Sequence, residues 1–302
     1  MTTDNLTRDL VVEPLTTTPA PPRRSRRLRR ASPVLRHVLF IAMVIVTLYP
    51  VLWMVVSSLR PDGSIFTNSG LFLDTFASKN YTKGWNALSH PFSTYLLNSA
   101  VVVLGSVIGN LIACSMTAYA FARLSFRFKK TAFAIMLLTI MLPIHVVIVP
   151  QYVLFAQLGW INTFLPLVVP KFLATDGFFI FLMVQFIRGL PRELDEAARI
   201  DGAGHPRIFL RIILPLMTPA LATTAIFTFI WTWGDFFTQL IFLTDPAKYT
   251  VPVALRSFID AQSSSSYGSL FAMSVLSIIP VLVAFTFGQR YLIRGIATTG
   301  GK

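Results

Sequence analysis

The chain has 302 residues, 54% of them hydrophobic and only 13% charged, where a soluble domain carries about 25% charged. Several apolar stretches reach the length of about 20 residues that a helix needs to cross a bilayer core, which excludes a soluble globular protein. The formal net charge of +13 would suggest a nucleic-acid partner on a soluble domain. Here the basic residues lie in short segments between apolar stretches, which points to membrane orientation and to no nucleic acid.

Residues 1–36 form a separate zone. Thr16 to Pro22 buries too little apolar surface to fold, and an arginine-rich run, Arg23 to Arg30, follows it. This predicts a disordered basic tail. Six membrane helices then follow in order, at 37–59, 94–122, 131–155, 164–187, 216–243 and 269–289. Backbone in lipid must satisfy its own hydrogen bonds, and no strand alternation is evident, so the spans are read as helices and the class as all-α. The single cysteine, Cys114, lies inside the second span, so no intrachain disulfide can form.

With the N-terminus inside, the inside segments 1–36, 123–130, 188–215 and 290–302 hold 20 Lys and Arg residues. The outside segments 60–93, 156–163 and 244–268 hold 5. This bias predicts that both termini are cytoplasmic. Segments 60–93 and 244–268 are long and show no obvious structure; the second either docks a partner outside or is passive. The chain has no Gly-x-x-x-x-Gly-Lys-Ser/Thr, His-Glu-x-x-His or Cys-x-x-Cys, so no nucleotide or metal site is expected in it.

The segment 188–215 reads as two short helices with a break. Pro191 suits a first helical turn. Glu193, Asp195 and Glu196 lie near the positive end of the helix dipole, and Arg199 near the negative end. Gly202 can adopt the left-handed conformation that ends a helix. Pro206 can open the next helix, and Pro215 ends it. On physical grounds this is either an interfacial amphipathic loop or a helix of the right size to lie in a cleft of another protein.

The same segment resembles, residue for residue, the EAA signature of the membrane subunits of bacterial ABC importers: Glu196-Ala197-Ala198, Gly202, Ile212, Leu214 and Pro215. Asp201-Gly202-Ala203 resembles the carbohydrate branch of that family. Asn98-Ser99, Ala118 to Arg123 with Phe126, Pro143, Pro150, Leu158-Gly159 and Asn162-Thr163 look like that branch as well. The Gly-rich end Arg294 to Lys302 is similar to that of the maltose-type second membrane subunit. The resemblance covers roughly residues 37–302. It departs at Trp233-Gly234-Asp235-Phe236, where the family often has Asn before the acid, and at Phe128, where it often has Gly. The first departure bears on a polar contact, the second on loop geometry.

The resemblance implies a type I ABC importer permease fold in a bacterial cytoplasmic (inner) membrane. It implies a transport subunit rather than an enzyme. The expected partners are a second membrane subunit, two ATP-hydrolysing subunits that bind ATP and Mg, and an extracytoplasmic solute-binding protein. The ATPase-coupling residues would be Glu196, Ala197, Ala198, Asp201, Gly202, Ile212, Leu214 and Pro215. The cargo would be a sugar, of di- or oligosaccharide size.

Ionisable residues within spans are costly and are candidates for a transport path. Lys171, Asp176 and Asp235 are of this kind. Asp176 lies 12 residues into the fourth span, about 18 Å along it. Asp235 lies toward the outer end of the fifth, near Trp231 and Trp233. Carboxylates accept bonds from sugar hydroxyls and aromatic faces stack on sugar rings, so Asp176, Trp231, Trp233 and Asp235 are candidate pathway residues. Competing readings are interfacial tryptophans, an Asp235 that reaches interfacial water, and a Lys171 that snorkels outward. The alternative function is a stand-alone secondary transporter using a buried carboxylate such as Asp176, which would have no use for the 196–215 signature.

Overall fold

The computed structural model describes residues 33–67, 70–72, 75–260 and 266–297, and every regular element among them is helical. The tail expected over 1–36 lies outside the described residues up to residue 32, as do Ser263 to Ser265 and the terminal 298–302. The chain divides into two units, residues 1–48 and 49–302. The described part of the first is the N-terminal portion of α1 (Pro33–Ser58).

After a short 3-10 turn at Asp62–Ser64, residues 79–297 supply the remaining helices. After α2 (Lys79–Trp85) comes α3 (Phe92–Arg123), then α4 (Lys129–Ile140) and α5 (Ile144–Gln157). Next are α6 (Leu165–Phe172), α7 (Gly177–Arg188) and α8 (Glu193–Ile200). A continuous helical stretch follows, made of α9 (His205–Ile208), a π-type turn (Phe209–Ile213) and α10 (Leu214–Leu216). The chain closes with α11 (Thr218–Gly234), α12 (Phe237–Phe242), α13 (Val251–Asp260) and α14 (Tyr267–Ala297).

Four stretches are long and apolar enough to cross a membrane: Val34–Ser58, Phe92–Arg123, Leu165–Arg188 and Tyr267–Arg290. The number rises to six if each of two bent pairs forms one span. The bends have local causes. The α4–α5 pair turns by 103° at Pro143, whose ring disfavours helix in the preceding residue. The stretch 205–216 meets α11 at 74°, between Pro215 and Pro219. Pro219 has no N–H to offer the Pro215 carbonyl, and Thr218 Oγ1 donates to it instead at 2.6 Å. The fifth expected span, 216–243, therefore differs from one straight helix: α11 stops at Gly234 and α12 follows after two residues.

The helix α3 is the central post, in contact with α6, α7 and α11, and α11 in turn packs on α14. Gly105 and Gly109 let α6 approach α3 closely. A Cβ at Gly105 would stand 2.8 Å from Val168 Cγ1, and one at Gly109 would stand 3.0 Å from the Lys171 backbone. One apolar cluster forms where the C-terminal half of α3 meets α7, α8 and α9–α11, with Ala118, Met183, Ala198 and Ile213 buried in it. Another, around Phe92, Tyr95, Trp233 and Met273, fills the opposite end of α3.

Described residues of the two long connecting segments are tied down by side-chain hydrogen bonds. Asn80 on α2 donates to the carbonyls of Ser58 at 2.9 Å and Arg60 at 2.7 Å. Asn98 donates to Ala247 O and Tyr249 O, each at 2.9 Å, and Ser99 Oγ accepts the Val251 N–H at 2.9 Å. Asn98-Ser99 thus fastens residues 247–251 to the start of α3.

Candidate functional site: a mounted loop and an interhelical cavity

The helix α8 has acids in its first turn and Arg199 in its last, in line with its dipole. Its bounds begin at Glu193, so Pro191 lies just ahead of the helix rather than in its first turn. Asp195 and Ala198, three residues apart, share the inward face and are buried. Asp195 Oδ2 pairs with Arg123 Nε at 2.7 Å, with side chains only 8% and 4% exposed. Arg123 Nη2 also donates to Leu190 O at 2.9 Å and Pro191 O at 3.4 Å. Tyr119, one turn up α3, meets His205 Nδ1 at 3.2 Å. The last two turns of α3 therefore hold both halves of the loop.

The signature residues divide by face. Ala198 is buried, and Ile212 and Leu214 are partly buried against the same cluster. Glu196, Ala197, Asp201, Gly202 and Pro215 are exposed. Ile200, at 87% exposure, stands out from the same surface. Gly202 has φ 78°, and a Cβ there would meet nothing within 4 Å. It is required for its backbone conformation and not for close approach within this chain. Arg123 and Asp195 were not read from the sequence as partners; the i, i+3 relation of Asp195 to the apolar Ala198 is the signal that could have marked the acid as inward-facing.

The second feature is a cavity of about 820 Å³. Asp176, Trp231 and Asp235 line it, together with Lys171, Gln151 and Thr232. Asp176 sits in the break between α6 and α7, where Ala174 takes φ 55°. Lys171 Nζ donates to Asp176 Oδ2 at 2.9 Å and to Oδ1 at 3.1 Å. Asn110 Nδ2 reaches Asp176 Oδ2 at 2.6 Å and Thr228 Oγ1 at 3.1 Å. Lys171 thus turns inward to a carboxylate and does not snorkel. Asp235 accepts the Thr238 N–H at 3.1 Å and so helps to start α12 while facing the cavity.

Trp233 is not part of this group. It is 7% exposed, its Nε1 donates to Ser277 O at 3.0 Å, and its ring stacks on Phe229 at 5.7 Å. At about 100° per residue, position 233 lies roughly 200° round the helix from Trp231, so it packs against α14. His145 contacts the Phe237 ring edge-on at 4.8 Å, as a packing residue would. Among the described residues no group of three or more His, Cys, Asp or Glu could hold a metal.

Comparison with known proteins gives a consistent picture. A family model described as binding-protein-dependent transport system inner membrane component matches residues 105–298. A diacetylchitobiose uptake system permease protein of Streptomyces coelicolor is 31% identical over 255 residues, 84% of each chain. A trehalose/maltose transport system permease protein of Thermococcus litoralis is 32% identical, over 87% of this chain and 96% of its own. A crystal structure of a bacterial ABC transporter involved in the import of the acidic polysaccharide alginate contains a chain with the same fold. It superposes with a TM-score of 0.75 at 23% identity, over 86% of this chain and 95% of that one.

Proposed function

Because this chain belongs to the family of binding-protein-dependent transport system inner membrane components, we propose that it is the carbohydrate-translocating subunit of an ATP-driven importer, with six spans and both termini cytoplasmic. The 20-to-5 distribution of basic residues supports the orientation. The partners in this reading are a second membrane subunit, two ATPase subunits that bind ATP and Mg, and an extracytoplasmic solute-binding protein. The relatives named for diacetylchitobiose and for trehalose/maltose support a di- or oligosaccharide as cargo.

The observation that carries the reading is the surface of α8. Glu196, Ala197, Asp201 and Gly202 are exposed beside Ile200, on a helix held from behind by a buried ion pair. An isoleucine left in water next to a fixed acidic turn suits a partner that covers it. The ATPase subunit lies there in this reading, and its motion passes through α8 to α3. The cavity supplies the path: Asp176 and Asp235 accept hydroxyl hydrogens, and Trp231 offers a ring face. The stand-alone secondary transporter gains no support from family membership.

The test is sugar uptake and substrate-stimulated ATPase activity in the reconstituted complex with Glu196→Lys. Insertion should be normal, and transport per ATP hydrolysed, or binding of the ATPase subunit, should collapse. Wild-type transport by this variant would remove α8 from the coupling role. The purified chain alone should not hydrolyse ATP.

A further inference from the structure

The turn between α3 and α4 has features that the transport reading does not use. Phe128 sits at φ 62°, ψ 15°, a conformation that glycine adopts freely and a bulky side chain resists. Its ring is nonetheless 68% exposed, with Phe126 exposed beside it. Buried packing therefore does not account for this strained aromatic. Strained positions of this kind are found where the surface has a use for the side chain.

The turn is also strongly cationic. Arg127 places its guanidinium carbon 4.9 Å from the Phe128 ring centre. Lys129 and Lys130 follow, with Lys129 Nζ donating to the Leu124 carbonyl at 2.6 Å, and Arg188 and Arg192 add positive charge on the same side of the fold. Among the described residues none of these five forms an ion pair with a carboxylate. Ser125, Phe126, Phe128, Lys129 and Lys130 line a shallow, open depression of about 400 Å³. Unneutralised cations, a hydroxyl and exposed aromatic rings around one pocket match a ligand with a phosphate at one end and apolar chains at the other. Aromatic residues anchor at the headgroup level of a bilayer, and basic pockets at the cytoplasmic face take anionic headgroups.

We propose that the turn Ser125 to Lys130 is a binding site for the phosphate headgroup of an anionic phospholipid in the inner leaflet. This rests on the topology given above, which places the turn inside. Lys129 and Lys130 hold the phosphate, Ser125 donates to it, and Phe126 and Phe128 lie along the start of the acyl chains.

Native mass spectrometry of the assembled complex tests this with phosphatidylglycerol and phosphatidylcholine of identical acyl chains. The wild-type complex should retain phosphatidylglycerol about tenfold better. Lys129→Gln/Lys130→Gln should abolish that preference, whereas Arg207→Gln/Arg211→Gln, which removes two exposed inside charges elsewhere, should not. Phe128→Gly, which relaxes the backbone, should weaken retention of phosphatidylglycerol while the complex stays assembled. An unchanged preference in the double lysine variant overturns the site. Loss of the ATPase subunits with lipid retention intact would make the cluster a protein contact instead. Equal competition by free glycerol phosphate would make it a soluble-anion site. Labelling of Ser125→Cys in oriented vesicles separates the premise from the proposal: an external reading sinks the topology, whatever the lipid result.

Discussion

The buried pair between Arg123 and Asp195 allows an unequal outcome to be worked out in advance. At an effective dielectric of about 20, charges 2.7 Å apart attract by roughly 6 kcal/mol. Desolvation of the two ions offsets much of that, several kcal/mol for each, so the pair as a whole is near break-even. Removing one partner is different, because it strands the other; such losses run to about 3–5 kcal/mol. The two single variants should fall at opposite ends of that range. Asp195→Asn leaves Arg123 with the Leu190 and Pro191 carbonyls, so the loss should be about 3 kcal/mol. Arg123→Met leaves a buried carboxylate whose Oδ1 already lacks a hydrogen-bond partner, so the loss should approach about 5 kcal/mol. Arg123→Met/Asp195→Leu should recover most of it. Cys114, the only cysteine and fully buried, provides the assay: a thiol-reactive dye reports its exposure as the detergent-solubilised chain unfolds with heat. An Arg123→Met chain no less stable than Asp195→Asn, or a double variant that is the least stable of the three, would contradict this ordering.

Three further outcomes follow from the geometry. Gly202→Val should cost about 1–3 kcal/mol of local strain and reduce ATPase-coupled uptake, while Gly202→Asn, which tolerates the left-handed region, should retain most of it; equal uptake by the two would remove the φ argument. Lys171→Gln should destabilise the chain by about 1–3 kcal/mol through loss of its bonds to Asp176. In that background Asp176→Asn should restore part of the loss, read by the same dye assay. Trp231→Ala should raise the KM for sugar uptake without unfolding the chain. Trp233→Phe should instead cost about 0.5–1.5 kcal/mol of stability from its bond to Ser277 O and leave uptake unchanged; an uptake defect in Trp233→Phe alone would reverse the assignment of the two tryptophans.

The sequence reading was strongest where local rules decide. Acids opening α8 and the left-handed Gly202 are properties of a few neighbouring residues, and the structure has both. It was weakest where the decision is made across the fold. The 103° bend at Pro143 falls inside an unbroken apolar run, so hydropathy alone does not reveal it. Arg123 and Asp195 are 72 positions apart, and no periodicity links them. Lys171 meets Asp176 only because the break that ends α6 carries the acid back to it. Helical rotation alone separates Trp233 from Trp231. At Phe128 the departure from the family pattern was seen in the sequence, but its left-handed backbone was not.

The way α3 is held at both levels makes it a lever. Its last turn is clamped to the exposed loop through Arg123, and 13 residues further up, about 20 Å along the axis, Asn110 bonds to both Asp176 and Thr228. A tilt of about 10° with the clamped end as pivot would swing Asn110 sideways by roughly 3 Å, more than its 2.6 Å bond to Asp176 can follow. A small rotation imposed at the rim would therefore reach the polar junction beside the cavity, provided that the packing of α3 on α6, α7 and α11 shifts with it.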